Sequence, residues 1–170
     1  MATTPATTSS AVQGFQPGFK RAQQSNDFDC AFACIATITG MTLDEVRKVA
    51  IDKFRHPKHG PFWITGELIN SLLAHYGWVA TVYKEASGIA SLPDLAIGMV
   101  EYNPETEIGR HVVFHRIPAA SGKPAVEYII DPAAYVTEPS QQVRTDIKGF
   151  PISWYIGVHP MAKTAGQTDK

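Results

Sequence analysis

Helical periodicity fills the first half of this chain and alternating, β-branched stretches fill the second, with the change of period at Gly77. Together these predict an α+β fold, with N-terminal helices packed on a C-terminal antiparallel sheet. Runs of helix followed by runs of strand argue against a repeating parallel βαβ architecture.

Each element has its own signal. Residues 1–20 are rich in Thr, Ser, Ala, Gly and Pro and read as a flexible arm, with Phe15 and Phe19 able to dock on the body. Asp27 or Asp29 caps a helix from about Cys30 to Thr39, whose apolar residues include Phe32, Ile35, Ala36 and Ile38, and Gly40 stops it. Thr42 and Glu45 form a capping box ahead of Leu43, Val46, Val49 and Ala50. The segment from His56 to Trp63, broken by Pro57, Gly60 and Pro61, is a loop, and His56, His59 and Trp63 read as a solvated turn. A third helix spans about Thr65 to Tyr76. Strands follow over 78–83, 96–102, 111–117, 126–130 and 152–158, with turns at Gly109–Arg110 and Ser121–Gly122. The domain is expected to cover residues 21–161, with 162–170 a disordered tail.

The chain has 170 residues, with 15 basic against 16 acidic residues. No strong field follows from that balance, so nucleic acid and anionic membrane are not expected partners. No apolar run is long enough to span a membrane. Cys30 and Cys34 lie one helical turn apart, where Cβ atoms are about 5–6 Å apart, beyond the roughly 3.5–4.5 Å a disulfide needs. Two unbridged thiols, with no secretory leader at the N-terminus, point to the cytoplasm.

The chemistry gathers at the first helix. A thiol reacts as thiolate, and a helix N-terminus favours that anion. Cys30 occupies that position and Cys34 lies a turn inside. A side-chain amide just upstream, with the Cys30 backbone N–H, would hold a developing oxyanion. Gln24 and Gln23 both qualify. A base is the next requirement. His111 and His115 share one face of their strand, about 13 Å apart at roughly 3.3 Å per residue, so one alone meets the thiol. His111, at the strand end beside a turn, is better placed at a cleft edge. The following strand runs into Asp131-Pro132, and antiparallel pairing would return Asp131 to the side of His111, where a carboxylate orients an imidazole.

The stretch Gln24-Ser-Asn-Asp-Phe-Asp29-Cys30-Ala-Phe-Ala-Cys34 resembles the cysteine box of the peptidase C39 family and its C39-like relatives. The strand from His111 and the later Ile130-Asp131-Pro132 resemble that family's His and Asp boxes. The resemblance covers about residues 20–135. It implies a papain-like fold, with Cys30 as nucleophile, His111 as base, Asp131 as orienter and Gln24, rather than Gln23, as oxyanion donor. It implies a peptide or protein substrate and no cofactor. Ala31 departs from the family's Gly, and its methyl narrows the cleft. The leader-peptide substrate of the exporter-linked members is not carried over.

Three other readings compete. Cys30, Cys34, His56, His59, His111 and His115 offer ligands for zinc, although their spacings are poor for it. The fold is also compatible with a non-catalytic binding module. The same residues can perform deamidation or transamidation instead of proteolysis.

Overall fold

The computed structural model describes residues 15–59 and 63–161. The expected tail at 162–170, most of the expected arm, and the loop breakers Gly60 and Pro61 lie outside the described residues.

Three helices come first: α1 Cys30–Thr39, α2 Leu43–Phe54 and α3 Gly66–His75. β1 Trp78–Ala80, β2 Lys84–Glu85, β3 Leu95–Asn103, β4 Ile108–Ile117 and β5 Val126–Ile130 follow, then a four-residue helix α4 Pro139–Gln142, β6 Val143–Arg144 and β7 Trp154–Pro160. Among the described residues the strands make one antiparallel sheet in the order β1-β7-β3-β4-β5-β6, with β2 also paired to β7. No helix of the described residues is long and apolar enough to cross a membrane.

Local sequence explains the helix starts. Thr42 Oγ1 accepts from the Glu45 N–H, and Glu45 Oε2 accepts from the Thr42 N–H, closing the capping box of α2. Thr65 Oγ1 accepts from the Leu68 N–H at the start of α3. Helix α1 differs. Residues Cys30 to Ile38 are all buried, because α1 lies between β4 and the other two helices. Such a helix shows little amphipathic contrast and is held by packing on every side.

The sheet is covered on both faces. Leu95 and Ile97 of β3, Val113 of β4, and Tyr128 and Ile130 of β5 join Phe32, Ile35, Ile69, Leu72 and Leu73 in the core beneath the helices. The alternate residues Ala96, Val100, Val112, Phe114 and Ile129 form a second cluster on the opposite face with Leu92 and Ile152. Side chains on successive strand residues point to opposite faces, so β4 contributes His111 and Val113 to one layer and Val112 and Phe114 to the other.

The structure corrects two local readings. Gly109 and Arg110 belong to β4, and the hairpin turn lies earlier, between Asn103 and Ile108. The glycine answers to crowding instead: a Cβ on Gly109 would sit 2.5 Å from Met99 Cγ and 3.0 Å from the Val100 carbonyl oxygen. Opposite it, β3 bulges between Val100 and Asn103, with Glu101 at φ 52°. The strand expected over 78–83 is interrupted, leaving residues 81–83 between β1 and β2. Of the expected arm, residues 15–20 are described, and Phe15 and Phe19 pack against the helical-side core. The Gly18 N–H donates to the Tyr128 hydroxyl at 2.7 Å.

Candidate active site

Cys30 opens α1, and His111 comes from β4 on the layer that faces it. The two meet: Cys30 Sγ lies 3.2 Å from His111 Nδ1 and 3.4 Å from the His111 backbone N–H, which donates to it. Cys30 is 7% exposed and His111 8%. Both line a cleft of about 190 Å³, walled by Asp27, Phe28, Ala31, Trp63, Ile64, Ile108 and Gly109.

The loop before α1 is firmly tied. The Gln24 N–H donates to the Pro132 carbonyl at 2.9 Å. Asp29 is the residue preceding the helix, but its carboxylate makes no cap. It turns back to accept from Ser25 N, Ser25 Oγ and Asn26 N, and it pairs with Arg47 at 2.5 Å. The stretch from Ser25 to Asp29 is therefore a compact turn, and the Asp29 side chain leaves the first N–H groups of α1 uncapped. Gln24 is 5% exposed, its Nε2 donates to the Asn26 carbonyl at 2.8 Å, and its Oε1 is buried without a partner among the described residues.

Asp131 is engaged elsewhere, and strand parity is the reason. Val113 pairs with Ile130, so the residue opposite His111 in that register is Pro132. Asp131 falls on the other layer with Arg110. There its Oδ1 accepts from Arg110 Nη1 at 2.5 Å and from the Ala133 N–H at 3.0 Å, while Oδ2 is buried without a partner among the described residues. Arg110 also pairs with Glu101 at 3.0 Å and lies over the rings of Tyr135 and Phe150. The expected Asp131–His111 contact is replaced by one that sequence reasoning missed. His111 Nε2 lies 2.6 Å from the hydroxyl of Tyr83. Tyr83, at the end of the strand expected over 78–83, lies between β1 and β2, and no motif marked it as part of the site.

Electrostatics on this layer are set by burial. Burial pushes the Cys30 thiol up, with the His111 and Ala31 backbone N–H groups and the Arg110 charge pulling it partly back. Burial alone drives the His111 ring down to about 4. Tyr83 is raised, again chiefly by burial, so its phenol stays neutral. For Arg110, burial acts downward, but the hydrogen bonds and charges of Glu101 and Asp131 outweigh it and hold the guanidinium above its ordinary value. Cys34 is wholly buried one turn along α1, and burial raises it well above the ordinary thiol range. Both cysteines are free.

The other histidines are placed apart from this pair. His115 Nδ1 lies 2.8 Å from the Tyr128 hydroxyl, and its ring meets Phe19 edge-on. His56 stacks edge-on with Phe32. Among the described residues no three His, Cys, Asp or Glu side chains converge as a metal site would require. Trp63, read from sequence as part of a solvated turn, instead forms the cleft wall with Phe28, their rings 5.4 Å apart.

Helices come first and a large antiparallel sheet follows, with a thiol and an imidazole meeting between them. Among solved structures, the chain is similar to a double glycine motif protease from an AMS/PCAT transporter, crystallised in complex with the leader peptide. The TM-score is 0.54 at 14% identity, over 88% of this chain and 97% of that one. At that identity the likeness speaks for the fold. No protein-family model and no curated protein sequence matches the chain.

Proposed function

We propose that this protein is a cysteine hydrolase that cleaves a peptide or isopeptide bond through Cys30 and His111. The observation that carries the proposal is the 3.2 Å approach of Cys30 Sγ to His111 Nδ1 at a cleft, at the N-terminus of a helix.

With the thiol raised and the ring lowered, the pair rests as neutral thiol and neutral imidazole at pH 7. Attack and proton transfer then go together. The sulfur bonds to the carbonyl carbon, the thiol proton moves to His111 Nδ1, and the carbonyl π electrons collect on oxygen. Backbone N–H groups at the start of α1 would hold that oxyanion. An amide nitrogen carries two protons. Gln24 spends one on Asn26, and the proposal assigns the other to the oxyanion. His111 next gives its proton to the leaving nitrogen, and water cleaves the thioester to regenerate the thiol. The apolar walls from Phe28, Trp63, Ile64 and Ile108 suit an apolar substrate side chain.

The test is covalent capture. A peptide vinyl sulfone should add once to the parent protein, with the adduct mapped to Cys30 by mass spectrometry. Cys30→Ser should lose the adduct and Cys34→Ser should keep it. An adduct on Cys34, or equal capture by the Cys30→Ser chain, overturns the assignment.

A further inference from the structure

We infer that Tyr83 is the positioning residue for His111, holding its ring with Nδ1 free for the thiol, a task that residue order alone would give to Asp131. The inference rests on the hydrolase reading and names the group that completes its base.

The geometry is specific. His111 has two ring nitrogens and both are occupied, Nδ1 by Cys30 at 3.2 Å and Nε2 by the Tyr83 hydroxyl at 2.6 Å. If Nδ1 is to accept the thiol proton, Nε2 must already carry hydrogen, and that N–H donates to Tyr83 Oη. The same bond persists, and strengthens, once the ring becomes imidazolium.

The phenol is held in place by shape. Tyr83 packs against Gly66 at the first residue of α3, where a Cβ would come within 3.1–3.2 Å of the Tyr83 ring. The ring also forms one side of a surface depression of about 420 Å³ with Thr65, Glu67, Asn70 and Val82. The ring thus packs on the start of α3 at the edge of that depression.

A phenol differs from a carboxylate in one respect that matters. It accepts the Nε2 hydrogen bond without bringing a negative charge. The groups around the pair are Asp27 and Asp29 from the turn before α1, Cys34 from α1, Tyr83 from the segment before β2, and Arg110 from β4. The buried carboxylates are committed, Asp29 to Arg47 and Asp131 to Arg110, while Asp27 stands on the cleft wall. Tyr83 fixes the ring's orientation and tautomer while leaving the resting pair uncharged.

Tyr83→Phe removes one oxygen and keeps the ring, so the packing against Gly66 survives. Two readouts test it. In ¹⁵N spectra of histidine-labelled protein, with His111 assigned by comparison with His111→Gln, the parent should show the Nε2–H tautomer and Tyr83→Phe a mixture of both. The second readout is alkylation of Cys30 by iodoacetamide, followed by mass spectrometry across pH. Near pH 7 the rate should fall tenfold or more in Tyr83→Phe, on the order of one lost charge-assisted hydrogen bond. At pH above the thiol's own titration the two rates should converge, because hydroxide then makes the thiolate without the ring.

A merely structural role would lower both ends of the profile together and leave the tautomer alone. Unchanged tautomer and unchanged rate at pH 7 in Tyr83→Phe overturn the inference and leave the hydrolase reading intact. Peptide hydrolysis that survives Cys30→Ser overturns the hydrolase reading, while the tautomer spectrum still reports the Tyr83–His111 bond.

Discussion

Arg110 and His111 are neighbours on β4, yet they inhabit opposite electrical worlds. Arg110 points to the layer of Asp131, Glu101, Tyr135 and Phe150, where a guanidinium meets two carboxylates and two aromatic faces. His111 points to the layer of Cys30 and Tyr83, where its ring meets a thiol on one nitrogen and a phenol on the other. The peptide between them is thus a boundary between a charged brace and an uncharged reactive pair. Strand alternation creates the boundary, and burial keeps it sharp, since an unbalanced charge beside the thiol would be costly in a dry cleft.

The largest break in this comparison is His111→Ala. Without the ring there is no acceptor for the thiol proton, and turnover of any peptide the protein cleaves should fall on the order of 10³-fold. Activity in that variant within a few-fold of the parent would move the base elsewhere.

A pH profile sharpens it next. His111 titrates at about 4, held down by burial, so it is protonated only below that pH. Cys30 is pushed above the ordinary thiol range by the same cause. Iodoacetamide labelling of Cys30 should therefore be lost as pH falls through about 4. It should stay low and level through neutrality, then rise more than tenfold as the thiol titrates. A full plateau already reached at pH 5 would mean a resting thiolate–imidazolium pair.

The charged layer is probed by Asp131→Asn. That change leaves Arg110 half-buried with Glu101 as its remaining partner, and should cost about 2–3 kcal/mol in chemical denaturation. The His111 tautomer should be unmoved, because the carboxylate lies across the strand. A shifted tautomer with unchanged stability would reverse the assignments of the two layers.

Cys34→Ser should be the mildest. It puts a hydroxyl at a wholly buried apolar position, with an expected loss of about 1–2 kcal/mol in thermal or chemical unfolding and little effect on capture at Cys30. Capture lost along with folding intact would place Cys34 in the chemistry.

Much of this arrangement was readable from the chain. Helices α2 and α3 follow from spacing and caps, with the Thr42–Glu45 box present as read, whereas α1 stands where it was read without its expected aspartate cap. A thiol at a helix N-terminus and a histidine on a strand were both visible as candidates, because each rests on a local pattern. The errors arose where local signals were ambiguous. Gly109 carries the usual mark of a turn, but here it answers to the crowding of Met99 against a bulge. Asp131 follows a strand that pairs with that of His111, and proximity along the ladder was legible. The face was not, because it depends on a register that shifts by single residues. Tyr83 was legible only as the end of an expected strand, with no motif to mark it. It lies between strands, and only the tertiary packing of α3 against the sheet brings its hydroxyl to the ring.

Trp63 gives the cleft its own optical reporter. Its indole is 63% exposed and stands beside Phe28 on the wall, whereas Trp78 and Trp154 are already partly shielded within strands. A molecule settling over Cys30 would cover the wettest of the three indoles. Emission should then move to shorter wavelength in a saturable way, so occupancy of a turnover-dead Cys30→Ser chain can be followed with no label attached.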